Sequence, residues 1–220
     1  FHDKDKWVKQ IGEVSGDLPV VFVNKYQHPS LYWFYNKKPA FTRNGVIYRR
    51  HQYDVWPLEE ELQGKQVLLT YWGNTDSTRV LETAWGEVYY YELEKYCSFN
   101  RLSVKILEKK IQSVPGGQIT VPVRIMNPTH RTVCLDCPCD LPPILYQSVE
   151  DRDRNFYHDR IQEQAPLTSF EPGEQILLDI PVKVPEKPGD YLLTISFGSD
   201  ILGPGINGPP VKLLVAGPPS

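Results

Sequence analysis

Pro115-Gly116-Gly117-Gln118-Ile119-Thr120-Val121-Pro122-Val123-Arg124-Ile125 opens on a turn and then alternates. Ile119, Val121, Val123 and Ile125 occupy every second position. A strand therefore places all four on one buried face and the intervening residues on the other. Upstream, Leu102 to Ile111 keeps the same period through Val104 and Ile106, with one slip before Ile111. Downstream, Ile176 to Val184, Tyr191 to Phe197 and Val211 to Val215 are apolar runs of strand length. Turn clusters at Glu171-Pro172-Gly173-Glu174 and Pro185-Glu186-Lys187-Pro188-Gly189-Asp190 separate them. That spacing predicts an immunoglobulin-like β-sandwich, without the cysteine-tryptophan-cysteine signature of antibody domains. Glu150 to Gln164, charged at Asp151 to Arg154 and at Asp159 and Arg160, reads as a polar insertion between strands.

The chain before this region is built from other residues. Nineteen of the 26 aromatics precede residue 97, including all five tryptophans, whereas 16 of the 20 prolines follow it. Two cores of different make predict two domains joined near Cys97 to Arg101: residues 1–98 and residues 99–220. In the first, Lys6 to Val14 predicts a helix through Trp7, Val8 and Ile11, ending at Gly16. Leu18 to Val23 predicts a strand buried on both faces. Pro29 to Tyr35 predicts a short helix with Asn36 as its exit, and Ala40 to Thr42 and Val46 to Arg49 predict strands around the Asn44-Gly45 turn. Trp56-Pro57-Leu58-Glu59-Glu60-Glu61-Leu62-Gln63-Gly64 predicts a helix opened by proline, favoured by acids in its first turn and closed by glycine. Gln66 to Trp72 and Thr83 to Tyr91 complete the strands. The expected fold class is α+β in two domains, a layered α/β domain followed by the sandwich.

Composition narrows the function. Twenty-four basic against 27 acidic side chains give a net charge of −3 among 220 residues. A nucleic-acid-binding protein usually carries a basic surplus, so nucleic acid is not an expected partner. No apolar run reaches the length that spans a bilayer, and the chain is expected to be soluble. It begins at Phe1 and its one methionine is Met126, which suggests a piece of a longer protein or a processed form. Gly203-Pro204-Gly205 lacks the lysine of a phosphate-cradling loop, and neither a Gly-x-Ser-x-Gly elbow nor a His-Glu-x-x-His helix is present.

Cys97, Cys134, Cys137 and Cys139 allow disulfides, free thiols or a tetrahedral zinc site. Their spacing is not a paired Cys-x-x-Cys framework, so disulfides are preferred and no metal is expected. The carboxylates Asp54, Glu59 to Glu61, Asp151 and Asp153 could supply a general acid and base only where two face one another across a substrate. His2, His28, His51, His130 and His158 are scattered and read as surface or loop residues. Two aromatic segments carry more: Tyr26 to Tyr35, which begins at the C-terminal end of the Leu18 to Asn24 strand, and Arg49 to Trp56. Ligands of open α/β sheets collect at such strand ends, and aromatic faces beside amide and guanidinium donors suit sugar rings or phosphate-bearing head groups. The alternative reading of these segments is that most of the rings form the core of a tryptophan-rich domain, with a few polar tips at the surface.

Pro19-Val20-Val21-Phe22-Val23-Asn24-Lys25-Tyr26-Gln27-His28-Pro29-Ser30, then Tyr35, Phe41 and Tyr48-Arg49-Arg50-His51-Gln52-Tyr53-Asp54-Val55-Trp56-Pro57, resemble the C-terminal region of bacterial multi-pass glycosyltransferases. These are relatives of dolichyl-phosphate-mannose protein mannosyltransferases and lipid A aminoarabinose transferases. The resemblance covers roughly residues 1–95. It implies a parent enzyme that moves a sugar from a polyprenyl-phosphate donor to an extracytoplasmic acceptor. The catalytic carboxylates of that family lie on loops between membrane helices outside this chain, so no catalytic residue is carried over and no cofactor is expected. By this resemblance the chain is a periplasmic appendage of a bacterial multi-pass membrane protein. Its partners would be the transmembrane part of the same polypeptide and a polyprenyl-phosphate sugar or glycan acceptor. Asn24, Tyr26, Gln27, Tyr35, Arg49, Gln52, Tyr53, Asp54 and Trp56 are the residues expected to meet it. The alternatives are a secreted or surface glycan- or protein-binding module working through Glu150 to Gln164 and Gly203 to Pro210, and a hydrolase built on the carboxylates near Asp54.

Overall fold

The computed structural model describes residues 4–71, 79–97, 99–161 and 169–217, with Lys4 described by its backbone alone. Trp72, His2 and residues 162–164, all named above, lie outside the described residues. The chain forms two compact units, one of Phe1–Ser98 with Pro138–Leu141 and one of Phe99–Cys137 with Pro142–Ser220.

The first unit is a mixed sheet with helices. Helix α1 (Lys4–Ser15) is followed by β1 (Val20–Val23), α2 (Gln27–Asn36) and β2 (Ala40–Arg43). Two 3-10 turns, Gln52–Asp54 and Pro57–Leu62, then lead to β3 (Val67–Tyr71), β4 (Arg79–Thr83) and β5 (Gly86–Leu93). The strand order is β2-β1-β3-β5-β4, with β1 parallel to β2 and β3 and the remaining pairs antiparallel. Trp7, Val8 and Ile11 of α1 are buried against Val20 and Phe22, with Tyr32 of α2 beside them. The helices approach closely at Gly12, where a Cβ would lie 2.4 Å from the Asn36 Oδ1. The same Asn36 donates its Nδ2 to the Val8 carbonyl at 2.9 Å, so the glycine makes room for an interhelical hydrogen bond.

Two expectations for this unit are corrected and a third is refined. Val46 to Arg49 is a turn, closed by the Tyr48 N–H on the Gly45 carbonyl at 3.0 Å, and not a strand. Pro57–Leu62 is the expected helix, opened by proline with Glu59 and Glu60 in its first turn, but it is of the 3-10 type: only six residues separate Trp56 from the extended Gln63, too few to propagate α-helical bonds. Glu59 is buried there and accepts the Tyr96 hydroxyl at 2.8 Å, while Gly64 donates to the Tyr96 carbonyl at 2.8 Å. The Thr83 to Tyr91 run is divided by a tight reversal at Ala84 and Trp85, with Gly86 at φ 98°.

The second unit is β-rich. Strands β6 (Ser103–Ile106), β8 (Gln118–Met126) and β11 (Gln175–Lys183) form one sheet in the order β11-β8-β6. Strands β7 (Lys110–Ser113), β9 (Ile144–Glu150), β10 (Phe156–Arg160), β12 (Gly189–Ser199) and β14 (Val211–Val215) form the other in the order β10-β9-β12-β14-β7, with β13 (Gly203–Pro204) on β12. Val121, Val123 and Ile125 are buried along β8, whereas Ile119 is only half-buried. The slip in the Leu102 to Ile111 pattern has a structural meaning. Val104 and Ile106 belong to the three-stranded sheet and Ile111 to the other, so the inward phase resets where the chain changes sheets. Glu150 to Gln164 is not simply an insertion: its described part holds β10, paired in register with β9 from Phe156↔Glu150 to Arg160↔Tyr146. Gln147 links the sheets by accepting from Lys183 N at 2.8 Å and donating to the Lys183 carbonyl at 3.0 Å.

Candidate functional site

The end of β1 controls the site. Asn24 and Lys25 follow it at φ 59° and 40°, left-handed conformations that cost a non-glycine residue of order 1 kcal/mol each. Three hydrogen bonds hold Asn24 there. Its N–H reaches the Arg43 carbonyl at 2.7 Å, its Oδ1 accepts the Gly45 N–H at 2.8 Å, and its carbonyl accepts the Thr42 hydroxyl. The chain thus turns abruptly from strand into α2 and leaves Lys25 exposed at the C-terminal edge of the sheet.

Because β1 lies between β2 and β3, the chain leaves β1 toward one side and returns to the other. Open parallel sheets have a crevice where the strand order reverses in this way. A cleft of about 280 Å³ occupies that place, lined by Val23, Asn24 and Lys25 from the end of β1, Tyr71 from the end of β3, and Ile47 and Tyr48 from the turn after β2. Ile47 and Tyr48 are exposed. Among the described residues no carboxylate lines it, so these residues do not form the paired-carboxylate arrangement of a glycoside hydrolase in this cleft. An amide, an ammonium and two phenols on apolar walls suit a ring bearing several hydroxyls.

The two aromatic segments meet beside the cleft. The Tyr26 and His51 rings pack edge to face at 5.7 Å, and the Ser30 and Tyr53 hydroxyls are 3.1 Å apart. Tyr26, Gln27, Arg49, Gln52 and Trp56 are exposed. Tyr53 is buried against Phe41, Trp56 and His51, and burial raises its hydroxyl pKa while the Ser30 hydrogen bond opposes the shift. The Asp54 carboxylate accepts Asn44 Nδ2 at 2.8 Å and the His51 N–H at 2.7 Å, so it organises the 44–54 loop. Tyr35 lies eight residues beyond Gln27 on α2, about 12 Å along the helix, where it packs against Phe34 and beneath the Lys9 ammonium. Lys25, Ile47, Tyr48 and Tyr71 were not among the expected contacts. Lys25 and Tyr48 stand in the quoted motifs, but Tyr71 joins the cleft only through the sheet order.

His28 is buried at the start of α2 between Trp7 and Phe22, at ring distances of 5.0 and 5.9 Å. Burial lowers its pKa to about 4, with the Lys25 ammonium adding in the same direction. The cysteines are paired as Cys97–Cys139 and Cys134–Cys137, which leaves no thiolate for a zinc site. The first bridge holds Pro138–Leu141 within the first unit, where Lys95 N donates to Asp140 Oδ2 at 3.1 Å. Disulfides persist in oxidising compartments. Among the described residues no helix is long and apolar enough to cross a membrane.

No family model and no curated protein matches the chain. Solved structures match in part. The alkylpurine DNA glycosylase AlkC of Pseudomonas fluorescens, bound to DNA with an abasic-site analogue, aligns at TM-score 0.31 and 10% identity over 51% of this chain and 30% of its own. A β-glucosidase from Listeria innocua in complex with glucose aligns at TM-score 0.31 and 13% identity over 56% of this chain and 17% of its own. PapD-like domain 7 of human CEP192 aligns at TM-score 0.26 and 11% identity over 54% of this chain and 87% of its own. The chain thus spans less than a third of the first two proteins, and likenesses this slight carry no argument about activity.

Proposed function

We propose that this chain is a non-catalytic, extracytoplasmic appendage of a membrane glycosyltransferase that uses a polyprenyl-phosphate sugar donor. The cleft between the ends of β1 and β3 docks the glycan acceptor, and the second unit is an immunoglobulin-like sandwich that gives structural support to the membrane domain. The observation that carries this reading is the cleft itself, where Asn24, Lys25, Tyr48 and Tyr71 converge at the point of strand reversal. The motif resemblance of residues 1–95 supplies the parent enzyme, and the two disulfides agree with an oxidising compartment. Tyr48 and Tyr71 would stack on sugar faces, and the Lys25 ammonium and Asn24 amide would orient hydroxyls.

The test is a titration of the whole chain with neutral and acidic oligosaccharides, followed by amide NMR shifts. The reading expects saturable shifts at residues 23–26, 47–48 and 71, and about tenfold weaker binding for Tyr48→Ala and Lys25→Ala with unchanged melting temperature. Absence of binding, or equal affinity in both variants, rejects the docking role. Translation of the coding region upstream of Phe1 separates the parents. A series of bilayer-length apolar segments marks the appendage, and a lone signal peptide marks a secreted module.

A further inference from the structure

The second unit carries a larger hollow, of about 500 Å³, on the outward face of its long sheet. Strand register sets its floor. Glu150, Leu192, Lys212 and Lys110 are aligned across β9, β12, β14 and β7, with Asp190 and Leu214 paired one step along the same face. The inward neighbours Val149, Leu193, Leu213 and Ile111 are buried, which fixes the outward direction of this row.

The charges in the hollow do not cancel. Glu150 is held by Arg154 Nε at 3.3 Å, and Asp190 by the Arg152 guanidinium. The Asp151 carboxylate is occupied by its own turn, accepting Asp153 N, Asn155 N and Asn155 Nδ2, each at 2.9 Å. Lys110 and Lys212 remain. They are direct partners on adjacent parallel strands, and neither has an acidic partner among the described residues. Glu150 stands two strands from Lys212 and three from Lys110, about 10 and 14 Å at ordinary strand spacing. Opposed like charges on neighbouring strands repel, and that repulsion is relieved when an anion lies between the two ammonium groups.

We propose that this hollow is an oxyanion site in which Lys110 and Lys212 together hold one phosphate or sulfate group. Leu192 and Leu214 receive the body that carries it, and the free N–H groups of Arg152 and Arg154 close the rim. This inference stands apart from the cleft of the first unit. The competing explanation is that Lys110, on the end strand β7, only guards the sheet edge against strand addition.

Inorganic phosphate is titrated into the whole chain at low ionic strength and followed by amide NMR. Saturable shifts at residues 110, 192, 212 and 214 are expected. Lys110→Gln and Lys212→Gln, both at exposed positions, should bind about tenfold more weakly with unchanged melting temperature. Absence of shifts in the parent chain, or the same response in both variants, overturns the site. Self-association of Lys110→Gln with an intact phosphate response assigns that lysine to edge protection and also overturns it. A sedimentation arm identifies the source. Binding to phosphatidylglycerol vesicles but not phosphatidylcholine vesicles, lost in both variants, means a lipid head group; phosphate binding without vesicle binding means a soluble ester.

Discussion

The hydroxyls of Ser30 and Tyr53, 23 positions apart in sequence, lie 3.1 Å from one another and join the first turn of α2 to the 3-10 turn after β2. Ser30 also donates to the Tyr26 carbonyl at 2.9 Å, so both aromatic segments converge on a single serine. Tyr53→Phe keeps the buried ring and its contacts with Phe41 and Trp56 while removing the hydroxyl. The expected cost is about 1 kcal/mol, read as a lower denaturant midpoint with an unchanged m-value. A loss above about 3 kcal/mol would mean that the hydroxyl holds more of the loop than this one bond.

What could be read beforehand follows from how each residue is buried. β8 announces itself because one face is inward and the other outward, so its apolar residues alternate. β9 does not, because five of its seven residues are buried, including Gln147 and Ser148, whose polarity disguises a central strand. The site divides in the same way. Asn24 and Tyr26 could be placed at a strand end from local sequence, and asparagine is a residue that tolerates the left-handed turn. Tyr71 could not, since it reaches the cleft through the pairing of β1 with β3, a relation between positions almost fifty residues apart.

His28 makes the first unit acid-sensitive in a defined window. Burial lowers its folded pKa to about 4 from an ordinary value near 6.5, so the native state prefers the neutral ring. Below pH 6.5 the unfolded chain takes up a proton that the native chain refuses. The stability contribution is therefore complete above pH 6.5 and is lost as pH falls toward 4, by roughly 3 kcal/mol in all. His28→Phe should flatten this part of the stability profile, measured by denaturant melts at half-unit steps. An equally steep profile in the variant would exclude His28 as the source.

The two disulfides should differ in worth. Cys97–Cys139 closes a sequence separation of 42 and Cys134–Cys137 one of 3. In the chain-entropy account the longer loop constrains the unfolded state more, giving about 4 kcal/mol against about 2. The Cys97→Ala/Cys139→Ala pair should therefore lose more stability than the Cys134→Ala/Cys137→Ala pair. Melts of the two double variants decide it, and a reversed order would show that local packing outweighs loop closure.

Asn207 concentrates the polar demands of the second unit's interior. Its Nδ2 points at the carbonyls of Phe99 and Leu102, both at 3.0 Å, and of Asn100 at 3.2 Å, while its Oδ1 accepts the Phe197 N–H at 2.7 Å. Its own carbonyl accepts Val104 N at 3.0 Å, and a Cβ on neighbouring Gly208 would lie 1.8 Å from the Val104 carbonyl oxygen. The backbone is therefore too close to move and replace the amide. Asn207→Ala should cost about 3 kcal/mol, since it strands several buried groups at once. Asn207→Asp keeps the acceptor but turns a carboxylate toward carbonyl oxygens, so it should be worse than alanine at neutral pH. Protonation restores one donor, and the carboxyl pKa in that variant is raised in the folded state. Its stability should then recover as pH falls through that raised value, while the alanine variant shows no matching gain. Melts of both variants at pH 7 and pH 5 test this directly. An aspartate variant no worse than alanine, or one without recovery in acid, would show that the amide's donors do not hold these carbonyls.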